Sequence, residues 1–227
     1  MNPLHRQREH RRVRRRIAAA AGLVALLATA CNSAGSAGKD GSAHGANTLT
    51  LHGAMPGDAQ PRPEFNLVDT AGHAYDFDAH TNGHVTLLYF GYTHCPDECP
   101  TSMADVASAL RQVPATVSQQ IDVVFVTTDP WRDSAPVLRR WLDKFGPPEP
   151  FVGLTGTPTQ IAGAEVTMGM PISRREAAPK SYGAGKYAVS HFAAVMVYGR
   201  DNRLATVYPS GQSPADIATD LKVLVKG

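Results

Sequence analysis

Basic residues are scarce outside the first thirty positions, although the chain has a formal net charge of +2. Residues 1–30 contain seven arginines and a single acid, Glu9. The rest of the chain has 15 basic and 19 acidic residues, a net charge of −4, and no stripe of lysine or arginine. A nucleic-acid surface needs such a stripe to neutralise several phosphates, so we expect no nucleic-acid partner.

The sequence also lacks an internal repeat and a second composition boundary. Hydrophobic residues make up 43% of the 227 positions and charged residues 19%, which is too apolar for a chain that is disordered throughout. We therefore expect one folded domain with appendages.

The amino-terminal appendage has the pattern of an export signal. A basic run at 11–16 precedes the apolar stretch Ile17–Ala30, which is shorter than a permanent membrane-spanning helix. Small residues then lead directly into Cys31, and this arrangement resembles a bacterial lipoprotein signal, in which the cysteine thiol carries the lipid. We predict a signal peptide at residues 1–30, lipidation of Cys31, and a membrane anchor at the outer face of the cytoplasmic membrane.

Two alternatives for this segment remain open. An ordinary secretory signal cut after an Ala-x-Ala site would leave Cys31 incidental, and the adjacent arginines are compatible with twin-arginine export. After the signal, residues 31–60 are poor in apolar side chains and dotted with glycine and alanine, which predicts a flexible tether. The folded domain is then predicted at residues 61–227.

Strand and helix patterns alternate through the predicted domain. A small hairpin is expected near residues 65–77, and Val85–Phe90 and Ile121–Thr127 are apolar runs typical of strands buried on both faces. We expect helices from Pro100, from Asp133 or Ser134 as N-cap, from a capping box at Thr157, and from Ser213, with strands at 151–154, 191–198 and 204–208. This order predicts an α/β fold with a mostly parallel central sheet, helices on both faces and an antiparallel edge hairpin.

The other two cysteines, Cys95 and Cys99, follow the first of these buried strands. Sites in open α/β sheets form where strands end and helices begin. Two thiols so close together in an exported protein form a bridge, bind a metal or alternate between these states, and a disulfide here would gain little stability because the loop is short. Two thiolates with an imidazole suit the soft ion Cu(I), whereas calcium and magnesium prefer oxygen ligands.

The residues around the pair give two further expectations. Pro100 disfavours helical geometry at Cys99, so we predict a loop from Cys95 to Cys99 with the helix starting just beyond it. Asp97 and Glu98 should raise the thiol pKa, while the positive helix end lowers it. This balance favours a metal carrier over an enzyme that depends on a very acidic thiol.

The residues alone leave the third metal ligand open. The chain has nine histidines. His94 is adjacent to Cys95, and adjacent residues in an extended segment point to opposite sides, so both seldom bind one ion. His191 opens an apolar strand, where a histidine that caps the strand is the simpler interpretation.

Several segments, in order along the chain, resemble the Sco/SenC family of copper-handling proteins, which are thioredoxin-like domains tethered to membranes. The similarity covers roughly residues 62–225 and is carried by Gly91–Pro100, Phe125–Pro130, Leu154–Pro158, Val207–Pro209 and the segment around His191. Where the family usually has an acidic residue directly before the histidine, this chain has Ser190.

The resemblance implies a ligand set and a partner. Copper, as Cu(I) or Cu(II), would be bound by Cys95, Cys99 and His191. It would be delivered to the dinuclear copper site of a cytochrome c oxidase subunit, or the protein would reduce the thiols of that site. We further expect that oxidation of Cys95 and Cys99 to a disulfide releases the ion, because a disulfide offers no thiolate.

The competing prediction is a thiol–disulfide oxidoreductase or a thiol peroxidase on the same fold, which the fold alone does not separate from a chaperone. Three residues lie between Cys95 and Cys99, where thioredoxin-type enzymes have two. Tyr92 occupies the position at which a peroxidase would carry threonine. We therefore expect a metallochaperone rather than an enzyme, with a purely structural lipoprotein as the third choice.

Overall fold

The structure is a computed structural model that describes residues 50–58, 60–146, 151–177 and 186–227. The predicted signal peptide, Cys31 and most of the predicted tether lie outside the described residues. Among the residues that are described, none of the helices has the length and apolar character needed to cross a membrane.

Nine strands and six α-helices make up the described domain. The strands are β1 (Asn66–Asp69), β2 (Ala74–Asp76), β3 (Val85–Gly91), β4 (Ile121–Thr127), β5 (Val152–Thr155), β6 (Arg174–Ala177), β7 (Tyr187–Ser190), β8 (Ala194–Tyr198) and β9 (Leu204–Pro209). The helices are α1 (Phe77–Thr81), α2 (Glu98–Arg111), α3 (Ala115–Ser118), α4 (Ala135–Leu142), α5 (Pro158–Thr167) and α6 (Pro214–Leu224), with a short 3₁₀ helix at Asp143–Phe145.

Seven of the strands form one sheet in the order β2-β1-β5-β4-β3-β8-β9. Its centre is parallel, since β4 pairs in parallel with both β3 and β5. The flanks are antiparallel, because β8 runs against β3 and β1 runs against β5. The predicted fold class is confirmed, together with both apolar strands and the β8–β9 edge hairpin.

Helices cover both faces of this sheet, and the alternating side chains of β3 show how. Leu87 and Tyr89 belong to the core cluster under α2, α4 and α6, whereas Leu88 and Phe90 belong to the cluster on the opposite face. All seven residues of β3 are buried. A strand buried on both faces needs an apolar residue at nearly every position, which is why this run is nearly continuous in the sequence.

The chain before the predicted domain boundary also packs on the domain. Leu51 is buried, and Ala54 forms an antiparallel bridge with Val207 of β9. The ring nitrogen Nδ1 of His52 lies 2.7 Å from Oδ1 of the buried Asp220, and this hydrogen bond raises the pKa of His52. The predicted end of the tether at residue 60 therefore falls after the chain has first contacted the domain, through Leu51, His52 and Ala54.

Two features of the late part of the chain differ from the expected strands. The predicted strand from His191 begins only at Ala194, so His191 lies in an irregular connection. Before it, β6 and β7 form a separate two-stranded ribbon that the sequence analysis did not predict. All four residues of β6 are exposed, so this strand has no apolar alternation to show in the sequence.

Candidate metal centre

The two thiols lie at the carboxyl end of β3, at the start of α2. Cys95 is half-buried in the connecting loop, and Cys99 is fully buried in the first turn of α2. Contrary to the expected loop up to Pro100, the helix begins at Glu98. Proline is tolerated at this point because the first N–H groups of a helix have no intrahelical acceptor, and this outweighs its weaker effect on the preceding residue.

Gly91, the last residue of β3, makes room for the buried sulfur. A Cβ atom at this position would lie 2.7 Å from Cys99 Sγ and 2.7 Å from Cε1 of Tyr89. Contacts that short do not occur between such atoms without displacement. A glycine is therefore required here by the close approach of Cys99 to the strand.

His191 reaches the thiols from a distant part of the chain. Its Nε2 atom lies 3.5 Å from Cys99 Sγ and 3.9 Å from Cys95 Sγ, and all three ligand atoms lie within 4.8 Å of one another. With metal–sulfur bonds of about 2.3 Å and a metal–nitrogen bond of about 2.0 Å, a trigonal site separates sulfur from nitrogen by about 3.7 Å. The three predicted ligands are thus brought together at the spacing of a three-coordinate metal.

The imidazole of His191 contacts the sulfurs through Nε2, and packing rather than a hydrogen bond holds its other side in the described structure. Its second nitrogen, Nδ1, is buried and has no hydrogen-bond partner among the residues that the structure describes. The ring instead contacts Tyr92 edge-on at a centroid distance of 5.5 Å and Tyr89 at 6.1 Å. This is unusual, because a metal-ligating histidine generally donates its other N–H to a carboxylate or carbonyl.

The two thiols differ in acidity. A hydrogen bond from the Cys99 thiol lowers the pKa of Cys95 well below its ordinary value, and His191 and two backbone amides act in the same direction. Burial raises the pKa of Cys99, as does the neighbouring Cys95 sulfur. One thiolate and one thiol therefore share the site at neutral pH.

The expectation that Asp97 and Glu98 would make the nearby thiol less acidic is wrong for Cys95. Both carboxylates are exposed, so water screens them, whereas the hydrogen bonds to Cys95 act at contact. One of these bonds is donated by the backbone N–H of Cys99 at 3.4 Å, in the first turn of α2. The start of the helix therefore stabilises the thiolate directly.

A buried carboxylate anchors the beginning of the cysteine loop. Asp133, which the sequence analysis considered as a helix cap, is fully buried, and the N-cap of α4 is Ser134. Asp133 accepts hydrogen bonds from the Thr93 backbone N–H at 2.9 Å, from the Thr93 hydroxyl at 2.6 Å and from the Thr127 hydroxyl at 2.7 Å. It thereby ties the loop to the end of β4.

A second anchor, which sequence reasoning missed, holds the strand before His191. The Tyr187 hydroxyl donates a 2.8 Å hydrogen bond to Asp129, and the Arg132 guanidinium lies over the Tyr187 ring at 3.6 Å. Arg132 also pairs with Asp129. An aromatic residue four positions before a candidate ligand, at the start of the short apolar run Tyr187–Val189, was the available signal.

The remaining residues considered from the sequence lie away from the three ligand atoms. His94 is exposed and turned toward Asp133, with 3.6 Å between Nδ1 and the carboxylate. The Ser190 hydroxyl is hydrogen-bonded to the backbone of Arg174 across the ribbon. Met168 and Met170 are partly buried and pack against the core cluster on the opposite face of the sheet.

Comparisons with known proteins agree with this fold and this site. A family model described as SCO1/SenC matches residues 53–226. The mitochondrial SCO2 homolog of Homo sapiens is 31% identical over 160 residues, which is 70% of this chain and 58% of that protein. The chain spans about half to two thirds of the length of the curated relatives that it matches.

Solved structures show the same similarity. ScoI of Bradyrhizobium japonicum, with copper bound, is 30% identical, with a TM-score of 0.61 over 73% of this chain and 99% of that chain. Apo Sco1 of Thermus thermophilus is 29% identical, with a TM-score of 0.66 over 77% of this chain and 97% of that chain. The similarity therefore covers nearly the whole of each solved domain.

Proposed function

Since the chain belongs to the SCO1/SenC family, we propose that it is a membrane-tethered copper chaperone whose cargo ion is bound by Cys95, Cys99 and His191. The observation that carries the proposal is the meeting of these three side chains, with ligand atoms within 4.8 Å, although 92 residues separate Cys99 from His191. The copper-bound relative from Bradyrhizobium japonicum supports the choice of ion.

The chemistry of the donor set favours Cu(I). Thiolates are soft ligands, an imidazole completes a three-coordinate site, and no oxygen ligand is required. Cys95 and His191 are only partly buried, so thiolates of a recipient have access to the ion and can replace these ligands one at a time. Partial exposure suits a carrier that must release its cargo.

The recipient that the family resemblance implies is the cytochrome c oxidase subunit with the dinuclear copper site. A chaperone for this subunit has to work on the outer side of the membrane. Lipidation of Cys31 after removal of residues 1–30 would anchor it there. Labelling cells with a radioactive fatty acid tests this anchor: the label should appear in the protein and disappear in Cys31→Ser, and an equally labelled variant would contradict the proposal.

Anaerobic titration of the reduced protein with Cu(I), against a competing chelator, tests the metal site. We expect one tightly bound ion per chain, and no tight binding in Cys95→Ser or Cys99→Ser, because each substitution removes a thiolate. Cys31→Ser is the matched control, since it removes the third cysteine of the chain, which is not one of the proposed ligands. Tight binding by either site variant, or none by the unsubstituted protein, would contradict the assignment.

One observation favours a second candidate, a thiol–disulfide reductase. The lowered pKa of Cys95 makes it a thiolate at neutral pH, and therefore a nucleophile. In such a reaction the Cys95 thiolate attacks a disulfide of the target and forms a mixed disulfide. Cys99 then attacks the Cys95 sulfur of the mixed disulfide. The target leaves with two thiols, and Cys95 and Cys99 are oxidised to a disulfide in its place.

Two measurements address this candidate. Alkylation of Cys95 by iodoacetamide should slow only slightly between pH 8 and pH 6. For an ordinary thiol with a pKa near 8.5, the thiolate fraction falls about 75-fold over that range. Incubation with a disulfide-bridged peptide and a regenerating reductant then separates the functions. A reductase turns over repeatedly, while a chaperone reduces at most one equivalent.

A further inference from the structure

His191 directly follows a two-stranded ribbon that, in the described residues, does not pair with the main sheet. The two strands before it, β6 and β7, pair only with each other over the residues described, and their register joins Tyr187 to Ala177 and Ser190 to Arg174. A two-stranded ribbon is marginally stable by itself in water. Contacts of its side chains with the domain therefore hold the chain on one side of His191, and β8, which begins three residues later at Ala194, holds it on the other.

Tyr187 makes the densest set of these contacts. Its hydroxyl donates a 2.8 Å hydrogen bond to the buried Asp129, and its ring lies 3.6 Å below the Arg132 guanidinium carbon. Arg132 also donates a 3.1 Å hydrogen bond from Nη1 to the Tyr187 carbonyl oxygen. The ring, the hydroxyl and the backbone of one residue are thus all joined to the connection between β4 and α4.

Other contacts of the ribbon are fewer. Val189 belongs to the core cluster under α2, α4 and α6, with 6% of its surface exposed, and Arg175 of β6 lies over the exposed Trp131 ring at 3.6 Å. Val189 fixes the depth of the ribbon through apolar packing, which has no preferred direction. The hydrogen bonds of Tyr187 are directional, so they fix the position of the ribbon along the domain surface.

His191 needs this support because, in the described part of the chain, no hydrogen bond holds the ring from its Nδ1 side. Its Nε2 atom faces the two sulfurs, and the rings of Tyr89 and Tyr92 pack against the imidazole. Arg132 continues this packing, since its guanidinium lies 5.7 Å from the Tyr92 ring centroid as well as over Tyr187. A continuous series of side-chain contacts therefore runs from Tyr187 through Arg132 and Tyr92 to His191.

We propose that Tyr187 is a positioning residue for the metal site: through Asp129 and Arg132 it holds β7 in the place that keeps the His191 imidazole against the two thiols. This inference rests on the proposed function for its consequence, which is copper affinity. Ligand geometry set by such supporting contacts typically changes metal affinity by about 10–100-fold when it is lost.

Two substitutions separate the parts of the contact. Tyr187→Phe keeps the ring under Arg132 and removes only the hydrogen bond to Asp129, so we expect a several-fold loss of Cu(I) affinity. Tyr187→Leu removes the stacked ring as well, so we expect a loss of about 10–100-fold. Tyr75→Phe is the matched control, because it removes a hydroxyl from a tyrosine of β2, at the far edge of the sheet.

The charge-transfer band and the nitrogen hyperfine splitting of the Cu(II)-loaded protein give a readout that a purely structural role would not change. In Tyr187→Leu the nitrogen splitting should weaken or become heterogeneous, while both thiolate bands persist. Unchanged spectra and affinity in a folded Tyr187→Leu variant would overturn the proposal. If that variant does not fold, the same comparison with Tyr187→Phe decides.

A measurement without copper distinguishes failure of this inference from failure of the proposed function. Selective labelling of the histidine ring nitrogens reports the environment of His191 in the metal-free protein. Displacement of the His191 signals by Tyr187→Leu, with Tyr75→Phe unchanged, supports the positioning role even if the unsubstituted protein binds no copper. Identical His191 signals in all variants would contradict it even if copper binds.

Discussion

At the amino end of β3 the buried guanidinium of Arg62 is fully satisfied, whereas at the carboxyl end of the same strand buried polar groups are left without partners. All five N–H groups of Arg62 donate hydrogen bonds at 2.8–3.1 Å, to Asn202 Oδ1, Thr81 Oγ1, Thr86 Oγ1, His84 O and Gly199 O. The acceptors are uncharged oxygens, and burial lowers the pKa of Arg62.

The carboxyl end has the opposite character. Within the described ranges, the buried side-chain polar atoms that lack a hydrogen bond are Tyr89 Oη, Ser102 Oγ, Arg132 Nη2 and His191 Nδ1. The ring of Tyr89 contacts His191, Ser102 is one turn of α2 beyond Cys99, and Arg132 lies over Tyr187. All four groups therefore surround the thiol site.

The difference separates a structural polar cluster from a functional one. Unpaired buried polar groups cost free energy, so a region that collects them is not built for stability. The Arg62 cluster stabilises the fold, whereas the proposed metal site lies among buried polar groups that lack a hydrogen bond within the described ranges. Removing a polar side chain should therefore act mainly on stability at one end of β3 and mainly on binding at the other.

The largest effect is expected at the stable end. Arg62→Met should lower the free energy of unfolding by about 3–5 kcal/mol, because several buried oxygens lose a donor at roughly 1–3 kcal/mol each. Urea denaturation measures this change, and copper affinity of the folded fraction should be unaffected. Arg200→Met, at an exposed arginine near the same end of the sheet, should change stability by less than about 0.5 kcal/mol. Equal effects of the two substitutions would remove the contrast.

At the other end, His191→Ala should act on binding alone. Loss of the only nitrogen ligand should weaken Cu(I) binding by about 100-fold, equivalent to about 2.7 kcal/mol, while the free energy of unfolding of the metal-free protein stays unchanged. Competition with a chelator gives the affinity. His94→Ala is the matched control, since this exposed histidine neighbours Cys95 but faces Asp133. If both variants bind as well as the unsubstituted protein, the ligand assignment fails.

Gly91→Ala should affect both properties, because the new methyl group would meet the buried sulfur and the Tyr89 ring. We expect destabilisation of about 1–3 kcal/mol, as for other overpacked cores, together with weaker copper binding as Cys99 is displaced. Thermal unfolding and metal titration check the two effects. Gly163→Ala in α5 is the control: a Cβ there meets no atom within 4 Å, so this substitution should stabilise slightly. Destabilisation by both would indicate a general intolerance of alanine.

The smallest effect is expected for Tyr89→Phe. The Tyr89 hydroxyl lies near Cys99 and Ser102 but makes no hydrogen bond of normal geometry within the described residues, so removing it should change the free energy of unfolding by no more than about 0.5 kcal/mol. Tyr208→Phe provides the matched comparison, because the Tyr208 hydroxyl donates a 2.8 Å hydrogen bond to the buried Asp220. That variant should lose about 1.5–3 kcal/mol in chemical denaturation. A larger loss in Tyr89→Phe than in Tyr208→Phe would show that the two tyrosines are wrongly assigned.

The strands of the core could be predicted from the sequence because burial on both faces leaves a continuous apolar run, as in β3 and β4. The capping box at Thr157 is also confirmed, because its pattern lies within four consecutive residues. The position of Cys99 inside α2 was not predictable, because the effect of Pro100 depends on which turn of the helix it occupies.

The site could be predicted only in part. Two of its ligands are neighbours in the sequence, but the approach of His191 depends on how the chain returns to the sheet, and only the family resemblance indicated it. The ribbon that carries His191 was missed because β6 has no buried residue. The acidity of Cys95 was misjudged because hydrogen bonds formed by folding outweigh nearby exposed carboxylates.

X-ray absorption at the copper edge tests the central claim most directly. For the protein loaded with one equivalent of Cu(I), the account predicts a three-coordinate ion with two sulfur ligands and one imidazole nitrogen, and loss of the imidazole contribution in His191→Ala with both sulfurs retained. A Cu(I) ion with the same imidazole contribution in both proteins, or with fewer than two sulfur ligands in the unsubstituted protein, would contradict it.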